Sequence, residues 1–521
     1  MPSTPKICDW TDLPLEVWGE ICRYVPKPRL LRLRLVSSKL SAIGLPWVYR
    51  SLRLEACGDS AERFELIARN PRLRNLVREV TVEAWGDHGD NRDPNGPWQI
   101  SWGFVNALPY LRCFTNVTTL HVRFHESLGV SYYAPVAYDF EHAGLFRFRV
   151  METICHCVMG MWTPEVQAKI DETVQFNRYS SDKHPLQYTD DQNIPLGHVM
   201  PLQEFTISNF SPYKDLLAEE SGALKKMLSL PSLVDLKLLI TSGGRPDRDR
   251  AQSLLEHGML QTLPETWLFP TIAENLQTLS LVYGEYWGLY PKVDFRQLGE
   301  SPLPRLKVLA LRKYVFGLEW QVDWISSLGQ EIGGLQELYL DTCPIIVRSW
   351  RRRPFDDSDS DSNSDDSVTE TFTGPEPGLG VREYHLRWHN VLSQWAETMN
   401  GLKEFCMGET SDNYDSSCLM QNMSCDEAYY RVSDYAMSRR YNDRKHQDFA
   451  SEIVTNYRSK LKYVRLNINM FHGHSGWKPA LQVKSPGDLS EGDTKIRDEA
   501  AYEKLMLRVN PRPITRGNQW V

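Results

Sequence analysis

One pattern constrains this chain more than any other. An apolar motif, L-x-x-L-x-L with any apolar residue allowed, recurs nine times, starting at Val77, Val117, Leu202, Leu233, Leu276, Leu306, Leu335, Leu402 and Leu461. The last two apolar positions of each copy are two residues apart, so on a strand they share a face and the residue between them takes the other. A unit this small has no core of its own and must stack on its neighbours. The shortest steps between copies, 29, 30 and 31 residues, suit one strand and one helix per unit, whereas the 85-residue step from Val117 to Leu202 requires an insertion. Stacked parallel strands would then line an open concave surface with Thr81, His121, Thr206, Lys237, Ser280, Ala310, Tyr339, Cys406 and Arg465.

Four copies have a proline preface: Asn70-Pro71-Arg72-Leu73, Leu108-Pro109-Tyr110-Leu111, Leu230-Pro231-Ser232-Leu233 and Leu303-Pro304-Arg305-Leu306. Proline ends a preceding helix there, and the apolar pair enters a strand. The segments from Leu224 to Leu230 and from Trp324 to Ile332 predict helices on the convex side. Residues 383–408 predict a helix, with Leu386, Val391, Leu392 and Trp395 on its apolar side, feeding another strand. A second polar-to-helical stretch is expected near Asp498 to Val509.

At 521 residues the chain exceeds one ordinary compact core. Its net charge of -8 gives no general pull toward nucleic acid. The lack of a long apolar run predicts no membrane span. Ten cysteines, none in a C-x-x-C pair, and no apolar leader at the N-terminus predict reduced thiols in a cytoplasmic and/or nuclear protein.

The N-terminal segment 10–54 reads as a helical module. Pro14 suits the first turn of a helix and Glu16 favours its positive end. Val17, Trp18, Ile21 and Val25 follow helical spacing. Pro26 ends this helix, Pro28 opens a second through Leu30, Leu31 and Leu33, and a third follows Val36-Ser37-Ser38 with Leu40, Ile43 and Leu45 inward. Apolar residues on more than one side of so small a module imply a partner.

Leu13-Pro14-Leu15-Glu16-Val17, the run from Leu33 to Leu40 and Trp47-Val48-Tyr49-Arg50 together resemble an F-box of the kind abundant in fungal proteins. The resemblance implies a three-helix fold that docks a Skp-type adaptor and, through it, a cullin ligase core. Carried over by position, the docking residues are Leu13, Pro14, Val17, Ile21, Leu31, Val36 and Leu40. The basic series Arg32, Arg34 and Lys39 departs from the family pattern at the rim. The repeats in turn resemble the leucine-rich-repeat half of F-box proteins, although the asparagine ladder of regular members is missing.

The expected fold is therefore α/β: a small three-helix F-box (10–54), then an irregular leucine-rich-repeat solenoid with parallel strands (55–345). A disordered acidic insertion (352–380), C-terminal leucine-rich-repeat-like units (381–470) and a tail (471–521) complete it. Residues 356–370, DDSDSDSNSDDSVTE, hold seven acids and no base. They read as a solvated loop, or as a phosphorylation target at Ser358, Ser360, Ser362 or Ser364.

Catalytic motifs are missing. Cys155-His156-Cys157 lacks a second ligand pair and reads as core on an extended segment. His472 and His474 lack a third ligand, and Gly243-Gly244-Arg245-Pro246 lacks the lysine of a phosphate loop. Trp85, Trp98 and Trp102, and the run Tyr283, Tyr286, Trp287 and Tyr290, suit either a binding loop or packing on the parent fold. The expectation is a non-catalytic substrate receptor of a ubiquitin ligase with no metal or nucleotide cofactor and an unidentified protein target. The alternatives are a repeat scaffold uncoupled from ubiquitination, or an enzyme with its site in residues 125–200.

Overall fold

The computed structural model describes residues 13–25, 27–56, 59–84, 102–124, 137–174, 197–210, 221–240, 258–289, 292–299, 303–331, 333–352, 379–408, 461–467, 480–484 and 493–509. These fall into two compact units. The first holds the described residues up to Phe205 together with Ser221–Met227. The second holds Thr206 to Phe210 and everything from Leu228 onward.

The first unit opens with three helices, α1 (Leu15–Tyr24), α2 (Lys27–Leu33) and α3 (Ser38–Tyr49). Ser37 caps α3, its hydroxyl accepting from the Leu40 amide at 3.1 Å. Arg50 alone separates α3 from strand β1 (Ser51–Glu55). β2 (Glu79–Glu83) and β3 (Thr119–Arg123) then pair in parallel, in chain order.

One backbone joint recurs at the entry of many of these strands. The carbonyl just before one strand accepts two consecutive amides at the entry of the next. Arg50 receives Arg78 and Glu79 at 2.8 and 3.0 Å, and Arg78 receives Thr118 and Thr119 at 2.8 and 3.1 Å. Thr118 receives Gln203 and Glu204 at 2.8 and 3.0 Å, which starts β4 (Glu204–Phe210). In the second unit the carbonyls of Val234, Gln277, Lys307 and Gln336 do the same. Both lone pairs of one carbonyl are used, so two entry amides find partners at each step.

That second unit continues with β5 (Asp235–Ile240), β6 (Thr278–Trp287), β7 (Val308–Tyr314) and β8 (Glu337–Asp341), with β11 (Glu404–Gly408) beside β8, all parallel. Helices Glu319–Gly329 and Trp388–Thr398 precede β8 and β11. The apolar rows of the motif are the core: Leu236, Leu279, Leu309 and Leu338 lie side by side, as do Leu238, Leu281, Leu311 and Leu340, and all are buried. The copies also share an exit. Asn209, Lys313 and Thr342, each four residues past the central apolar residue of its strand, hold φ of 55°, 57° and 52°, a region few non-glycine residues occupy.

Two expectations are corrected. The open concave row is closed: Lys237, Ser280, Ala310 and Tyr339 are buried, and Ala310 and Tyr339 join Leu239 and Val282 in an apolar cluster. On that face Leu239, Val282 and Val308 are also apolar, whereas the flanking Asp235, Thr278, Arg312 and Glu337 are polar and half-buried. The ninth copy does not extend this sheet. Its strand β12 (Tyr463–Asn467), which carries Arg465, runs parallel to β9 (Ile345–Arg352) and antiparallel to β13 (Ala480–Lys484). β10 (Leu379–Glu383) closes the order β10-β9-β12-β13. A two-residue period specifies which face is buried, not which strand becomes the neighbour.

β9 and β10 pair antiparallel with Arg352 opposite Leu379, which brings together the two ends of the predicted insertion. The acidic run 356–370, Trp85, Trp98, Tyr290, residues 243–246, His472 and His474 lie outside the described residues. Tyr283 and Trp287 are buried, and Tyr286 packs on the apolar cluster around Ile346 and Tyr384.

A candidate protein-docking surface

The three N-terminal helices divide their apolar residues between inside and outside. Cys22, Leu30 and Val48 form the interior, with Val25, Leu33, Ile43, Trp47 and Tyr49 packed on it. Burial pushes the Cys22 thiol above its ordinary range, as expected of a core residue. On α1, Trp18 and Cys22 face this interior, while Val17, Ile21 and Tyr24 form an adjacent stripe left in solvent. Leu13 and Leu15 are exposed at the start of α1, and Leu31 on α2.

The connection between α2 and α3 carries the most exposed pair, Leu35 at 87% and Val36 at 64%. They are displayed on ordered backbone. The Arg34 amide bonds Leu30 O, the Leu35 amide bonds Arg32 O and the Val36 amide bonds Leu33 O, at 3.0 to 3.1 Å. Eight of the twelve large exposed hydrophobic side chains among the described residues lie between Leu13 and Val36. That concentration makes these helices the candidate docking surface, since scattered exposed apolar residues are normal and clustered ones are not.

Six of the seven docking residues carried over by resemblance, Leu13, Pro14, Val17, Ile21, Leu31 and Val36, are exposed. Leu40 is not: at 2% exposure it belongs to the interior, where its helical position had placed it. Leu15, Tyr24 and Leu35 belong to the surface but were not carried over. Tyr24 was signalled by its spacing, three residues after Ile21 and seven after Val17.

The sequence of this surface is that of a known module. Residues 10–44 match the model of the F-box domain. The chain carries an F-box. No curated protein matches the chain. Beyond the F-box, the described residues are mainly parallel strands alternating with helices, with antiparallel pairs in the sheet of β9, β10, β12 and β13.

Elsewhere buried polar side chains form local networks. On the outward face of β1–β3, Glu83 receives Arg53 and, at 2.7 Å, Arg123. Burial, then the neighbouring Glu204, raises the Glu79 carboxyl above its usual range. In the insertion before β4, Arg149 donates to Asp171 at 2.7 Å, and Gln167 joins Thr153, Trp162 and Asp171. Cys155 and Cys157 sit on the helix Ala137–Val158, not on an extended segment, and are fully buried. Burial pushes both thiols up, Cys157 to about 12, which holds them protonated and poorly nucleophilic. Among the described residues, no group of three or more metal-ligating side chains comes together, and no helix is long and apolar enough to cross a membrane.

Proposed function

We propose that this chain is the substrate-recognition subunit of an SCF-type ubiquitin ligase. Its F-box docks a Skp-type adaptor, which brings the cullin core, and its repeat region holds a target protein. The observation that carries the reading is the coincidence of the F-box match at 10–44 with the exposed apolar surface on those same helices. The role is non-catalytic. Holding a target and a ligase on one chain raises the effective concentration of the target's lysines at the ubiquitin-charged enzyme. The closing of the sheet face over Lys237, Ser280, Ala310 and Tyr339 argues against target capture in that row.

Co-purification tests the assembly. The full chain, mixed with a Skp-type adaptor and a cullin, is expected to elute with both in one complex. The Val17→Asp/Val36→Asp variant is expected to elute alone. A wild-type chain that never joins the adaptor would leave a free-standing protein-binding scaffold as the better reading.

A further inference from the structure

The charge of the F-box departs from that of the chain around it. Residues 10–54 carry eight basic and three acidic side chains, in a chain whose net charge is -8. Arg23, Lys27, Arg34 and Arg50 make contacts within the module or beside it. Arg23 lies 3.8 Å from Glu20, Lys27 donates to the Ser51 carbonyl at 3.1 Å, and the guanidiniums of Arg34 and Arg50 lie over the rings of Tyr49 and Trp47. Arg29, Arg32 and Lys39 are exposed, and Arg29 and Arg32 pair with no acid among the described residues. In sequence they bracket the apolar surface: Arg29 and Arg32 flank Leu31, and Lys39 follows Val36.

We propose that the F-box docks against an acidic face of its adaptor and that Arg29, Arg32 and Lys39 steer the encounter. The inference rests on the adaptor-docking reading and adds the partner's charge to it. A net charge this large on so small a module is self-repulsive, and an acidic partner turns that repulsion into attraction. Charges at the rim of an apolar contact act mainly on association rate and salt dependence, and they reject partners of like charge. A nucleic acid would satisfy the bases but leave Leu35 and Val36 uncovered, so the partner is a protein with acids set around an apolar patch.

Association kinetics of the full chain with a purified Skp-type adaptor test this. The wild-type association rate is expected to fall roughly tenfold between about 0.05 M and about 0.5 M salt. The Arg29→Gln/Arg32→Gln/Lys39→Gln variant, altered only at exposed positions, is expected to associate several-fold more slowly at low salt. It should lose most of the salt dependence and converge on wild type at high salt, with its dissociation rate little changed. A flat salt response of the wild type, or a variant as fast as wild type at low salt, overturns the steering proposal while binding itself upholds the docking reading. Failure of the wild type to bind at any salt overturns both.

Discussion

Asp498 and His389, 109 residues apart, are joined twice: one carboxylate oxygen, Oδ1, accepts from the His389 backbone amide at 2.9 Å and contacts its ring Nδ1 at 2.8 Å. The other oxygen receives the Tyr463 hydroxyl at 2.7 Å, and that hydroxyl accepts the Trp388 amide at 2.9 Å. The buried carboxylate thus caps the first turn of the helix Trp388–Thr398 from a different helix, Thr494–Val509. Arg508, near the end of the second helix, closes the other end of the first. It donates to the carbonyls of Ala396 and Met399. An acid at the positive end and a base at the negative end both suit the helix dipole.

Asp498→Ala is therefore expected to destabilise the second unit by about 3 kcal/mol, because it orphans a buried hydroxyl and a buried amide. Arg508→Ala should cost less, about 1 kcal/mol, since water can reach the freed carbonyls. Urea unfolding of both variants checks the order. Equal midpoints for Asp498→Ala and wild type would remove the capping account.

Alkaline pH should weaken the fold. Burial raises the phenols of Tyr463 and Tyr314 and the thiol of Cys343, with Asp498 next in order at Tyr463. A group whose folded pKa lies above its unfolded one adds stability below the unfolded value and loses it as pH rises toward the folded value. The unfolding midpoint is thus expected to hold through neutral pH, begin to fall near about pH 9, the ordinary range of a thiol, and fall more steeply above about pH 10, that of tyrosine. In Tyr463→Phe the alkaline decline should be shallower, as measured by thermal unfolding across pH.

Leu40 and Leu35 should separate stability from docking. Leu40→Ala opens a cavity in the F-box interior and is expected to cost about 2 to 4 kcal/mol. Leu35→Ser, at a residue 87% exposed, should leave the unfolding midpoint within about 0.5 kcal/mol of wild type while weakening adaptor binding. Reversed outcomes would mean that the helices pack differently.

Thiol labelling of the native chain gives an independent check on the insertion. Cys155 and Cys157 should resist alkylation until the chain unfolds, because only the thiolate reacts and burial suppresses it.

Much of this was legible in the sequence. The motif at Leu276, Leu306 and Leu335 gave strands, register and core, because apolar period is a local property that burial reads directly. The helix-then-strand reading of 383–408 holds for the same reason, with Val391, Leu392 and Trp395 buried, but the helix begins at Trp388 and Leu386 lies before it. What escaped was non-local. The joint at Arg50, Arg78 and Thr118 uses backbone atoms alone, so no residue type announces it. Asp498 looks like any helical surface acid until Tyr463 and His389 are seen around it. Leu40 carries the docking motif and faces inward, because its position on α3 outweighs its place in the motif.

The most direct measurement is the affinity of a purified Skp-type adaptor for the full chain and for its Val17→Asp/Val36→Asp variant, with unfolding midpoints taken alongside. The account predicts tight binding by the wild type and a loss of about a hundredfold or more in the variant, the consequence of burying unpaired carboxylates in an apolar contact, with the midpoint unchanged. Equal affinity of the two chains would contradict it.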